Sequence, residues 1–143
     1  MSGTIKTAMV LAAGLGTRMR AAYNDPPKPL VEIAGQSLLS RLLDRLEAAG
    51  IEKIIINLHH KAGDIEAHLA ARNNRAEIVF SDERDALLDT GGGVKKALPL
   101  LGSDPFLVCN ADVLWQETDD NIAMLMRRFD RQKMDVLLLL ADP

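Results

Sequence analysis

The sequence predicts a three-layer α/β fold, a mostly parallel sheet with helices on both faces, and three observations carry that expectation. Short apolar runs alternate with stretches of helical period along the 143 residues. The runs are apolar on consecutive residues rather than on every second one, the pattern of strands covered on both sides. Several of them end in clusters of Gly, Asn and Asp, residues that turn a chain out of a strand.

Residues 8–11 are apolar and lead into Ala12-Ala13-Gly14-Leu15-Gly16, a buried strand feeding a glycine-rich turn. Residues 36–49 set Leu38, Leu39, Leu42, Leu43 and Leu46 on one helical face, and Gly50 stands where a helix would stop. Ile54-Ile55-Ile56 begins a β-branched strand that runs to Leu58, residues 62–71 form a helix with Ile65 and Leu69 inward, and residues 76–80 form a third strand. Gly91-Gly92-Gly93 opens a helix through Val94, Ala97 and Leu98 towards Pro99, and residues 106–109 form a fourth strand ending at Asn110-Ala111-Asp112. Residues 121–131 are helical by period, with Ile122, Leu125, Met126 and Phe129 on one face, and residues 136–140 read as a fifth strand. A strand so apolar belongs deep in a sheet, yet the chain stops three residues later with no helix to cover it. The expectation is a chain truncated at the C-terminus, either a fragment of a longer enzyme or a naturally short form.

Composition narrows the class. Hydrophobic residues make up 48% and charged residues 26%, a globular balance that excludes disorder and fibrous repeats. Residues 1–143 are expected to form one domain. The net charge of −3 supplies no basic surface for nucleic acid, so any anion must be caught locally. No apolar stretch approaches the ~20 residues that span a bilayer, and the first residues lack the pattern of a secretion signal. The single cysteine, Cys109, lies in an apolar run and reads as a buried free thiol. These features give a cytoplasmic expectation.

Three polar clusters fall where ligands of open α/β sheets bind: residues 14–18 after the first strand, 89–93 before a helix, and 110–112 after the fourth strand. Gly14 and Gly16 let backbone N–H groups approach phosphate oxygens, and Arg18 adds a forked, permanent cation. Met19 replaces the third glycine of a dinucleotide fingerprint, and the Gly-Lys-Ser/Thr of a Walker loop is absent. By itself such a loop serves a tight turn as well as a ligand. Lys28, between Pro27 and Pro29, is expected on an extended, stiff backbone. It is either a solvated loop lysine or, with Arg18, one of two cations around a polyphosphate. Asp112 can hold Mg²⁺ against phosphate oxygens, or can start a turn or cap the helix for which Thr118 and Asp119 are also candidates. Asp82, Glu83, Asp85 and Asp89 read as a solvated acidic loop. His59 and His60 point to opposite sides of a strand end, which disfavours a metal pair and leaves one as a possible substrate contact. Trp115 can stack on a base or sugar, or pack half-buried. No spacing supports a Ser-His-Asp arrangement, and Cys109 inside a strand is poorly placed as a nucleophile.

Residues 10–19, with Pro27-Lys28-Pro29-Leu30 and Gly35, resemble the signature of the sugar-1-phosphate nucleotidyltransferases, or NDP-sugar pyrophosphorylases. Asp89-Thr90-Gly91-Gly92-Gly93 looks like that family's base-binding stretch, and Asn110-Ala111-Asp112 like its metal-binding strand end. The details look closest to short bacterial N-acetylmuramate 1-phosphate uridylyltransferases and to mannose- or heptose-1-phosphate guanylyltransferase-like members. The resemblance implies a Rossmann-like fold of the nucleotide-diphospho-sugar transferase type. It further implies transfer of a nucleotidyl group from UTP or GTP to a sugar 1-phosphate, with Mg²⁺ as cofactor, and a place in cell-envelope sugar metabolism. Arg18 and Lys28 become the catalytic pair and Asp112 the metal ligand. Leu11, Ala12, Ala13, Gly14, Gly16, Thr17, Thr90, Gly91, Gly92 and Asn110 become the nucleotide-binding set. Ala111 stands where the family commonly has Gly, and the family's second metal-binding Asp usually comes from sequence beyond residue 143. A nucleotide- or NDP-sugar-binding module without turnover is the alternative, and cytidylyl or guanylyl transfer to isoprenoid or molybdopterin phosphates ranks second among enzymes. Neither the base, the sugar nor the oligomeric state is legible.

Overall fold

The computed structural model of the chain describes residues 4–14, 25–116 and 119–140. A four-stranded sheet has the order β5-β4-β1-β6, from β1 (Thr7–Leu11), β4 (Lys53–Leu58), β5 (Glu77–Asp82) and β6 (Leu107–Asn110). All three pairings are parallel. Because successive side chains of a strand point to opposite faces, β1 serves two cores at once. Ala8 and Val10 pack with β4's Ile54 and Ile56, with Leu39, Leu42, Leu43 and Leu46 of α1 (Leu38–Ala48), with Ile65 and Leu69 of α2 (Ala62–Ala71), and with Ile122 of α4 (Asn121–Arg128). Met9 and Ile55 pack on the other face with Ala97 and Leu101 of α3 (Asp89–Leu101). The expected three layers are therefore present, and the consecutive apolar residues of the central strands β1 and β4 are explained by their two covered faces.

Several boundaries differ from the sequence reading for identifiable reasons. Helix α1 starts at Leu38 rather than at residue 36, because the Ser37 hydroxyl accepts the Ser40 N–H at 3.0 Å and caps it. Residues before it form a small hairpin, β2 (Glu32–Ile33) with β3 (Gln36–Ser37), whose turn takes Ala34 and Gly35 to φ 52° and 78°, the two positive values a two-residue hairpin needs. Strand β5 extends to Asp82. Helix α3 starts at Asp89, before the glycines, and passes Pro99 to stop at Gly102, where φ is 84°. Helix α4 ends at Arg128, with Asp120 as its N-cap rather than Asp112 or Asp119; Thr118 lies outside the described residues.

The fifth strand expected at 136–140 is not formed. Val136, Leu138, Leu139 and Leu140 are 70%, 69%, 46% and 80% exposed. Apolar, β-branched composition favours a strand only where another strand offers its hydrogen bonds, and among the described residues none pairs with this segment. No helix among the described residues is long and apolar enough to cross a membrane.

Candidate functional site

From β1 the chain steps outward to β4 and β5, then returns to the other side of β1 as β6. The sheet thus reverses its order between β1 and β6, the place where ligands of open α/β sheets bind. There Leu11 is the register partner of Asn110, and the Ala111 N–H donates to the Leu11 carbonyl at 3.1 Å. The end of β1, which leads into Gly14, and the third polar cluster are consequently neighbours at one sheet edge. Leu15, Gly16, Thr17 and Arg18 lie outside the described residues, so the loop is seen only as far as Gly14.

Lys28 reaches the same edge. Pro27 is extended (φ −57°, ψ 145°), but Lys28–Leu30 then forms a single 3₁₀ turn rather than the extended backbone expected. The Leu30 N–H donates to the Pro27 carbonyl at 2.8 Å, and Pro29, buried, enters the turn with its φ already set. The turn delivers the Lys28 ammonium to within 2.8 Å of Asp112 Oδ2, with each side chain 36% exposed. A hard cation such as Mg²⁺ takes oxygen ligands and is held by one or two carboxylates together with phosphate oxygens and water. Asp112, half-exposed with a cation already against one oxygen, has that donor chemistry. Among the described residues no group of three or more His, Cys, Asp and Glu side chains forms a metal cluster.

The start of α3 is tied to the end of β1 from below. Asn57 of β4 is 3% exposed, and its Oδ1 accepts the N–H groups of Ala12 and Ala13 at 2.6 and 3.2 Å. Its Nδ2 donates to Glu83 Oε2 at 2.8 Å, and Glu83 Oε1 accepts the Leu88 N–H at 3.1 Å, directly before α3. Glu83, 1% exposed, is therefore no part of a solvated acidic loop: its two oxygens join β4 to the start of α3. Gly93 packs closely on this contact, since a Cβ there would lie 3.0 Å from both Asn57 Nδ2 and Glu83 Oε2. At Gly14 and Gly91, by contrast, a Cβ would meet no heavy atom of the described residues within 4 Å. Thr90 and Gly91 are exposed and Gly92 half-buried beside them.

The other singled-out residues take plainer places. The His59 Nδ1–H donates to the Glu83 carbonyl at 2.6 Å, while His60 is exposed. Trp115 packs half-buried against the main core with the Arg45 guanidinium 4.5 Å from its ring centre. Burial pushes the Cys109 thiol up to about 11, which leaves it protonated and a poor nucleophile at neutral pH.

The sequence matches the family described as the MobA-like NTP transferase domain over residues 8–142. The chain belongs to that family. As a MobA-like NTP transferase domain it is 50% identical to the N-acetylmuramate alpha-1-phosphate uridylyltransferase of Caulobacter vibrioides, across 99% of this chain and 60% of that protein. It is 35% identical to the mannose-1-phosphate guanylyltransferase of Mycobacterium tuberculosis, across 93% of this chain and 36% of that protein. The crystal structure of HddC from Yersinia pseudotuberculosis complexed with GMP-PN superposes with a TM-score of 0.67 at 35% identity, covering 76% of this chain and 48% of that one. The UDP-glucose pyrophosphorylase of Acinetobacter baumannii, at 23% identity and TM-score 0.74 over 87% of this chain and 52% of that one, shares the fold. The chain thus spans about three-fifths of the length of the first of these relatives and about half or less of the others. The uridylyltransferase and the guanylyltransferase among them are the kind of transferase whose signature residues 10–19 and 27–30 resemble.

Sequence reasoning missed Asn57 and the placement of Glu83 in this MobA-like domain. Asn57 did leave a signal, as an amide set inside the apolar run Ile54-Ile55-Ile56-Asn57-Leu58, where burial demands partners.

Proposed function

We propose that residues 1–143 form the nucleotide-binding portion of a Mg²⁺-dependent sugar-1-phosphate nucleotidyltransferase acting in the cytoplasm. An oxygen of the sugar 1-phosphate attacks the α-phosphorus of UTP or GTP, the bond to the β-phosphate breaks, and pyrophosphate leaves with the NDP-sugar as product. The observation that carries this reading is the meeting of Lys28 and Asp112 at the edge where the sheet order reverses.

In this reading Gly14 and Gly16 bring backbone N–H groups to the triphosphate, Arg18 holds its outer phosphates, and Lys28 steadies the α-phosphate as charge builds. A donor so placed is worth roughly 3 kcal/mol of barrier. Asp112 would hold Mg²⁺, which when bound neutralises phosphate charge. Ala12, Ala13, Gly91 and Gly92 flank the nucleoside, with Leu11, Thr17, Thr90 and Asn110 around them. The identity to a uridylyltransferase and a guanylyltransferase supports a sugar 1-phosphate acceptor and leaves UTP and GTP as the nucleotides to compare.

The test titrates UTP and GTP with and without Mg²⁺, then follows pyrophosphate release with N-acetylmuramate 1-phosphate and mannose 1-phosphate. Mg²⁺-dependent release with either acceptor is the expected result. Binding without release would identify a nucleotide-binding module, and absence of binding would overturn the reading.

A further inference from the structure

We propose that Asn57 and Glu83 are positioning residues, a buried clamp that sets the Ala12–Ala13 backbone against the Thr90–Gly92 segment so that the nucleoside fits between them. The role rests on the nucleotide-binding reading above.

Burying an amide and a carboxyl group is costly unless every polar atom finds a partner. Here Asn57 finds its partners far along the chain, at Ala12, Ala13 and Glu83, and Glu83 completes the set at Leu88, directly before α3. The Asn57 orientation is fixed by chemistry, since only its oxygen can face two N–H donors and only its NH₂ can face a carboxylate. The bonds to Oδ1 also use the Ala12 and Ala13 N–H groups, so any ligand at this strand end must draw on amides beyond Ala13. Glu83 accepts on both oxygens, from Asn57 and from the Leu88 N–H, and thereby relays the position of β1's end to the start of α3. Helix α3 packs closely on the clamp, since a Cβ placed on Gly93 would lie 3.0 Å from both Asn57 Nδ2 and Glu83 Oε2.

Exchanging the two functional groups tests the clamp. Glu83→Gln alone sets an NH₂ against either the Asn57 amide or the Leu88 N–H. Asn57→Asp alone sets two carboxylates together. The double variant N57D/E83Q restores every bond: the carboxylate now on β4 accepts from Ala12, Ala13 and the new amide, whose oxygen accepts from Leu88. UTP and GTP affinities are measured by calorimetry, at a temperature where thermal unfolding shows each variant folded. Each single variant is expected to weaken binding at least about tenfold, the effect of about 1.4 kcal/mol, and the double to return within about threefold of the parent. Folded single variants that bind like the parent would overturn the clamp and leave the nucleotide reading standing, and so would a double variant no better than the weaker single. If a single variant fails to fold, the double decides: affinity near the parent's supports the clamp and lost affinity overturns it. A parent chain that binds neither nucleotide would overturn both readings.

Discussion

Lys28 Nζ lies 2.8 Å from Asp112 Oδ2, joining the Pro-Lys-Pro turn to the end of β6 at the carboxyl edge of the sheet. Both side chains are 36% exposed, so water screens the pair and its stabilisation is at most about 1 kcal/mol. A charge pair that contributes so little to folding can be broken without losing the fold. Lys28→Ala is therefore expected to keep its melting temperature within a few degrees of the parent. The same variant should lose at least about tenfold in pyrophosphate release. A variant with full turnover would remove Lys28 from the proposed chemistry.

Asp112→Asn tests the other half of that pair. An amide keeps the size of the side chain but loses the charge that attracts a hard cation. The expected outcome is that added Mg²⁺ no longer strengthens UTP or GTP binding, while affinity measured without the metal stays close to the parent's. Titration of each nucleotide at several Mg²⁺ concentrations reads this directly.

Two glycines of α3, Gly91 and Gly93, should respond in opposite directions. Gly93→Ala drives a methyl into Asn57 and Glu83, at 3.0 Å from an atom of each, and overpacking of this kind costs about 1–3 kcal/mol. Gly91→Ala meets no described heavy atom within 4 Å and should gain about 0.5–1 kcal/mol from helix propensity. The same substitution should weaken nucleotide binding if Gly91 lines the pocket. Thermal unfolding and nucleotide titration on the two variants separate the effects.

Glu47 carries a pH-dependent part of the stability. Burial alone would raise its carboxyl above 4.5, but hydrogen bonds from Arg72 and from the Ala76 and Arg75 N–H groups outweigh that and hold it at about 2. A carboxyl lowered on folding stabilises fully above 4.5, and the contribution is lost as pH falls through about 2. Glu47→Gln should therefore be less stable than the parent at pH 7, with the difference shrinking as pH falls across that interval. Denaturant unfolding at a series of pH values would show it.

Cys109, with its thiol pushed up to about 11 by burial, should react with a disulfide reagent at pH 8 at least about tenfold more slowly in the folded chain than in denaturant. Equal rates would contradict its burial.

The motifs legible in the sequence were those whose signal is local. The leucines of α1 recur at helical spacing and the isoleucines of β4 stand side by side, the pattern of a strand covered on both faces, and the resemblance of residues 10–19 and 27–30 is carried by contiguous residues. The β2–β3 hairpin escaped because two-residue strands carry no period. The apolar run at 136–140 looked like a strand because composition reports the tendency to pair and is silent about the partner. Glu83 read as solvated because an acidic neighbourhood in the chain hides a carboxyl that folds beneath α3.

Taken by itself, the sequence determined the class of fold and the alternation of the first four strands with helices, since periodicity acts over a few residues. The tertiary structure alone decided that β6 returns beside β1, that Lys28 meets Asp112, and that Asn57 and Glu83 join the Ala12–Ala13 backbone to the start of α3. Those contacts depend on strand order and on buried polar groups finding partners far along the chain, a demand that exists only once the sheet has closed over them.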